Sequence, residues 1–221
     1  MADGDKSTLK AAILKKKREV YEPVVPEMQL AFIHNNVDCI GCRACEIACK
    51  DKNGLAEGPR FRRVQYIEGG TYPEVFAFKV NMSCNHCAEP ACLPACPTGA
   101  IFKRVDNGVV DIDSTLCIGC RKCEAACPFG APQFNVELNI VQKCNMCIDE
   151  LEAGRKPYCV SACMMRVLDI GPIDQLLKGT YPTKAMVKGE QPVRQVKHMA
   201  NPELTNPSIV FIAHPKGKVD A

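Results

Sequence analysis

The chain has 221 residues, 47% of them hydrophobic and 24% charged, with 28 Lys and Arg against 25 Asp and Glu. That composition, with no apolar run near the roughly 18–20 residues a bilayer crossing needs, excludes a disordered chain, a collagen-like chain and a chain that itself spans a membrane. A net charge of only +3 gives no ground for nucleic acid as a partner.

The unusual number is sixteen Cys, all between Cys39 and Cys163, about 13% of that stretch against the roughly 8–10% that marks a disulfide or metal scaffold. In chain order, residues 1–30 read as a basic arm, in which TLKAAILKKKREV is made of helix formers with Leu9, Ile13 and Val20 on a loose stripe. LAFIHNN is strand-like and leads into the first group, Cys39, Cys42, Cys45 and Cys49, spaced C-x2-C-x2-C-x3-C. FRRVQYIEGGTYPEVFAFKVNM reads as a hairpin turning at Gly69-Gly70. The second group is Cys84, Cys87, Cys92 and Cys96, followed by Pro97. AIFKRVDNGVVDID is a hairpin with Asn107-Gly108 at its turn. The third group is Cys117, Cys120, Cys123 and Cys127, followed by Pro128, and the fourth is Cys144, Cys147, Cys159 and Cys163. DELEAGRKPY, inside the fourth group, reads as a short helix ended by Gly154, and VLDIGPIDQLLKG as a strand and a short helix. Residues 180–221 have no periodicity and read as an extended tail laid on something.

Four groups of four is an internal repeat. Disulfide frameworks scatter their cysteines and are typical of small secreted chains. Structural zinc sites close one tetrahedron from two C-x2-C knuckles. Three Cys within seven residues and a fourth three residues later is instead the bacterial ferredoxin run, in which three thiolates grip one cubane and the fourth turns to a neighbouring cluster. The third group, CIGCRKCEAACP, matches that run without a gap. Four groups therefore predict four [4Fe–4S] clusters and use every Cys. Gly41 and Gly119 sit where the backbone must pass close to the inorganic core, and Pro97 and Pro128 direct the chain's exit. Arg43, Lys50, Arg121, Lys122 and Lys143 lie beside or among the ligands, and each reads either as a charge that stabilises an added electron or as ordinary solvated surface charge. Of the scattered His34, His86, His198 and His214, only His86 falls inside a Cys group, and it reads as a surface imidazole beside the cluster. There is no phosphate-binding glycine loop, no H-E-x-x-H and no spare Cys nucleophile. One-electron centres without a catalytic site describe a wire. Periodic core is thin, so the clusters are expected to serve as the core of an α+β, loop-rich fold. Spacing leaves open whether the groups exchange fourth ligands in adjacent or nested pairs.

At these residues the chain resembles the four-cluster iron–sulfur (beta) subunits of the dimethyl sulfoxide reductase and molybdopterin oxidoreductase family. CIGCRACEIACK, SCNHCAEPACLPACPTGAIFKR, CIGCRKCEAACPFGAPQFN and KCNMCIDELEAGRKPYCVSACMMRVLDIGPIDQL carry the resemblance, over about residues 32–178. It implies nested ligation: Cys39, Cys42, Cys45 with Cys163; Cys144, Cys147, Cys159 with Cys49; Cys84, Cys87, Cys92 with Cys127; Cys117, Cys120, Cys123 with Cys96. One ferredoxin-like unit, 84–135, is then inserted in another made of 31–83 and 136–178, between the arm and a docking tail at 179–221. Some relatives carry Trp at the position of Cys120 and form a three-iron cluster there; Cys120 implies a fourth [4Fe–4S] cluster. Met164 stands where the family often has Pro. The resemblance implies a large catalytic partner with a molybdenum or tungsten bis-pterin, and a membrane anchor exchanging electrons with quinol. With neither a signal-like apolar stretch nor a twin-Arg pair in its N-terminus, the chain is expected in the cytoplasm, or exported folded with a signal-bearing partner and held at the membrane. The competing readings are the same module in a hydrogenase or formate-oxidising complex, and a non-redox, multi-zinc interaction module.

Overall fold

The computed structural model describes residues 29–219; the basic arm lies almost wholly outside them. Strand β1 (Leu30–Asn35) is the centre of a three-stranded sheet, antiparallel to β8 (Leu168–Pro172) and parallel to β9 (Ile209–Ile212). Phe32 pairs with Ile170 on one side and Ile209 on the other. A strand buried on both faces reads as a continuous apolar run, and LAFI is one. Alternation then divides the core. Ala31, Ile33, Val210 and Ile212 face a small cluster with Ile173 and Leu176 of α5 (Ile173–Leu177). Phe32, Leu168, Ile170, Ile209 and Phe211 face the larger core, which includes Cys45, Cys49, Cys84, Cys144, Cys159 and Cys163.

The remaining elements are short and hold the cysteines. They are α1 (Ala44–Lys52), the hairpins β4–β5 (Ile101–Lys103, Val110–Ile112) and β6–β7 (Gln133–Asn135, Ile140–Gln142), α2 (Lys122–Ala126), α3 (Ile148–Glu152) and α4 (Tyr158–Ser161). The two hairpins enclose a third cluster of Cys92, Ile101, Val110, Cys123 and Val141. Gly108 takes a left-handed φ of 71° in the β4–β5 loop, and Gly154 one of 72° just past α3, the conformation that closes such ends.

One reading needs correcting. The hairpin β2–β3 (Arg63–Thr71, Glu74–Met82) pairs Thr71 with Glu74, so it turns at Tyr72-Pro73 and not at Gly69-Gly70. Gly69 is a strand residue opposite Phe76, whose ring lies 2.7 Å from where a Cβ would stand. The glycine serves a close cross-strand approach, while proline, with its fixed φ and no N–H, suits the turn. The C-terminal segment, read as an extended tail, contributes a strand. β9 lies in the central sheet, and Val193 bridges its open edge through N–H···O bonds of 2.9 and 2.8 Å with Phe211. IVFIA is fully buried; what the tail lies on is the protein's own core.

Phe211 is fully buried and meets His34 edge-to-face at 6.4 Å. Phe211→Ala is expected to cost about 3–5 kcal/mol, read as a lower midpoint for thermal loss of visible absorbance in the loaded protein.

Candidate metal centres

The structure gathers thiols from distant parts of the sequence. Cys39, Cys42, Cys45 and Cys163 line one cavity of about 330 Å³, here site A. Cys84, Cys87, Cys92 and Cys127 line another of about 350 Å³, site C. Cys96, Cys117, Cys120 and Cys123 line a third of about 310 Å³, site D. The remaining four, Cys49, Cys144, Cys147 and Cys159, are all buried, and the Cys49 thiol faces the other three, making site B. All sixteen are free thiols, and each falls in one of these groups.

The geometry suits a polynuclear group better than an ion. Zinc draws its sulfurs to about 2.3 Å from one point. Among the described residues, no three His, Cys, Asp or Glu side chains converge that closely. In sites A, C and D the thiols stand back around a volume of nearly constant size.

The sequence builds sites A and D the same way. Gly41 and Gly119 (φ 73° and 69°) and then Arg43 and Arg121 (φ 60° and 59°) are left-handed, coiling each C-x2-C-x2-C loop before α1 or α2 begins. Glycine is required for a second reason: a Cβ at Gly41 would collide with the Tyr66 hydroxyl, and one at Gly119 would lie 2.5 Å from the Asn139 carbonyl oxygen. The helices then separate the third and fourth Cys. Cys45 reaches site A and Cys49 site B; Cys123 reaches site D and Cys127 site C. Every C-x3-C pair in the chain divides between two sites in this way.

Several donors point at sulfur. Asn81 Nδ2 donates to Cys45 Sγ at 3.2 Å, Val141 N–H to Cys117 Sγ at 3.4 Å and Met146 N–H to Cys144 Sγ at 3.4 Å. Such bonds stabilise charge on a cluster's sulfur and raise its potential. Burial, ahead of neighbouring thiols, pushes Cys87 up to about 12, and Cys123 and Cys144 up to about 11. Burial also acts on Cys96, but there the Thr98 side chain and backbone N–H groups of Ile101, Ala100 and Thr98 outweigh it and bring the thiol down.

The basic residues do not share one role. Arg43, Arg121 and Lys122 are exposed, and Arg121 pairs with Glu124 at 2.7 Å. Lys50 ties the end of α1 to the Ala56 carbonyl. Lys143 is buried and donates to the carbonyls of Val110 and Cys144. Sequence reasoning missed Lys103, buried with a 2.6 Å bond to the Cys87 carbonyl, and Arg62, fully buried in the larger core. The alternating FRRV that leads into β2 was a signal that one arginine must face inward. His86 is not a surface imidazole. It is fully buried, with Nδ1 accepting from Val110 N–H at 3.0 Å and its carbonyl accepting from Gln29. Burial, then the charges of Lys143 and Lys103, keep it neutral.

Sixteen thiols gathered four at a time, twelve of them around cluster-sized cavities, define an iron–sulfur protein of ferredoxin type. Residues 75–173 match the family described as the 4Fe-4S dicluster domain. Over 201 residues the sequence is 40% identical to the B component of anaerobic dimethyl sulfoxide reductase from Escherichia coli (strain K12), covering 85% of this chain and 98% of that protein. It is 42% identical over 156 residues to the B component of sulfite dehydrogenase from Allochromatium vinosum, covering 61% and 65%. With the thiosulfate reductase electron transfer subunit PhsB of Salmonella typhi it shares 41% over 153 residues, covering 66% and 78%. The protein is a member of the iron–sulfur family that includes the B component of dimethyl sulfoxide reductase, and four [4Fe–4S] clusters account for its sixteen cysteines.

Gly119→Ala forces a Cβ into a left-handed position, about 1–2 kcal/mol, and against a backbone oxygen. It is expected to weaken site D alone, leaving roughly three-quarters of the iron on gentle purification. The raised thiols add a pH dependence. In the metal-free protein they hold their protons beyond their usual range, whereas ligation needs thiolates, so loading releases protons. Reconstitution yield, followed as iron bound per chain, is expected to rise from about pH 6.5 to about pH 8.5 and not the reverse.

Proposed function

We propose that the chain is the electron-transfer subunit of an oxidoreductase complex, passing single electrons to or from a large molybdopterin-containing catalytic subunit. The observation that carries this reading is the series of four four-thiol sites joined end to end. In this reading Cys39, Cys42, Cys45 and Cys163 hold the cluster of site A. Cys49, Cys144, Cys147 and Cys159 hold that of site B, Cys84, Cys87, Cys92 and Cys127 that of site C, and Cys96, Cys117, Cys120 and Cys123 that of site D. A bound cluster supplies one-electron exchange at a potential set by its charge, its hydrogen bonds and its burial. The protein's part is to hold these sites in order. Cys45 and Cys49, one turn apart on α1, join A to B; Cys144 faces both its own site and Cys84, joining B to C; Cys123 and Cys127 join C to D. The two ends of this series carry the two exposed thiols, Cys42 and Cys120. Exposed Ile40 and Met165 stand at the first and exposed Ile118 at the second, giving one apolar contact face for each redox partner.

No substrate is transformed on the chain in this reading; that chemistry is the work of the catalytic partner, with molybdenum or tungsten held by pterin. Among the described residues no helix is long and apolar enough to cross a membrane; in this reading exchange with quinol is the part of a separate anchor subunit. The fold is two ferredoxin-like units, 84–135 inserted between 31–83 and 136–178.

Protein purified without air is expected to be brown, with about 16 iron atoms per chain, four paramagnetic centres on reduction and a large partner that co-purifies. Two or fewer centres, or zinc in their place, would sink the proposal. Cys120→Ser is expected to lose or convert one centre while three persist; an unchanged iron count and spectrum would remove Cys120 from the ligand set.

A further inference from the structure

Arg62 is 1% exposed. Its guanidinium donates to Asn81 Oδ1 at 3.0 Å and Ser83 Oγ at 3.1 Å, lies 4.3 Å from the Phe32 ring centroid, and leaves Nε without a partner. Among the described residues no carboxylate pairs with it. A guanidinium keeps its charge in any protein, and a buried charge with only neutral partners is unstable without a counter-charge. The counter-charge available to Arg62 is sulfur: the Phe32 ring it faces lies in one buried cluster with Cys45, Cys49, Cys144 and Cys159. Cys159, Cys144 and Cys49 of site B and Cys45 of site A all act on its charge. Asn81 completes the link to site A, accepting from Arg62 and donating to Cys45 Sγ at 3.2 Å. His34, the imidazole on which the Arg62 charge also acts, is neutral: burial first, then that charge, lower it to about 3.

We propose that Arg62 is the shared counter-ion of sites A and B, a fixed buried cation that raises the reduction potentials of both clusters. The proposal rests on the ligand sets given above. Reduction adds one negative charge to a site, which burial opposes and a nearby cation favours. Site B has no exposed thiol, so without Arg62 it is a hard-to-reduce step inside the wire. Because Arg62 never titrates, its effect is constant with pH.

The test is a redox titration of the loaded 221-residue protein, each centre followed by its paramagnetic signal. In Arg62→Gln, with iron content retained, two of the four centres are expected to become at least tenfold harder to reduce, a fall of about 59 mV for each tenfold in a one-electron couple. The other two stay unchanged, and Arg62→Lys recovers most of the loss. No shift, a shift of one centre alone, a common shift of all four, or an Arg62→Lys that falls as far as Arg62→Gln would each overturn it. Should Arg62→Gln fail to assemble, Asn81→Asp carries the same test by setting a carboxylate against an intact guanidinium: the same two centres must fall. A wild type with fewer than four centres refutes the ligand sets; four centres indifferent to Arg62 refute this inference alone.

Discussion

Charged sulfur resists burial, and this protein buries ten of its sixteen cysteines. Left to themselves the buried thiols hold their protons, as the upward shifts of Cys87, Cys123 and Cys144 show. A site of this kind is complete only when metal replaces the protons, so binding and folding are one free-energy change. The cavities between the thiols mark where apolar contact has been given up to make room. Cysteines around them share one core with Phe32, Val80 and Phe211.

That dependence explains the shape of the rest. Among the described residues, five helices of four to nine residues and two hairpins with three-residue strands are too short to stand alone. Most are held where they contribute a thiol. The sheet β8-β1-β9 carries apolar side chains on both faces, with the cluster-bearing core on one face and α5 on the other. It draws its strands from the start, the end and the late middle of the described residues, closing the loops between them.

Electrostatics runs along the same axis. The end sites each keep one exposed thiol, Cys42 or Cys120, whereas site B keeps none. Water can stabilise an added electron at the ends; in the interior, protein charge must do so. Arg62, Lys143 and Lys103 are buried cations there, Arg62 acting on sites A and B, Lys143 acted on by Cys84, Cys92 and Cys144 of sites C and B, and Lys103 by Cys87 and Cys84 of site C. The exposed basic residues, Arg43, Arg121 and Lys122, serve the loops and the surface instead.

The four cysteine groups were legible in the sequence because cluster ligation is local: three thiolates on one loop must sit within seven residues, and a C-x3-C pair on a helical turn must face two ways. The strands LAFIHN and LDIGP and the helix ended by Gly154 were legible because apolar runs and glycine stops are local too. What distant segments do was not legible. No spacing distinguishes nested from adjacent exchange of fourth ligands; that reading came from resemblance, and the cavities that seat Cys163 with Cys39 and Cys127 with Cys84 support it. Nothing near His86 in the sequence announces that Gln29 and Val110 will enclose it. The IVFIA run was read only as part of an extended tail; pairing with β1, about 180 residues earlier in register, made it a buried strand. The residue types and their spacing determined what kind of metal this chain holds; the long-range closure of the fold decided which thiols share a site and which cation stands between two of them.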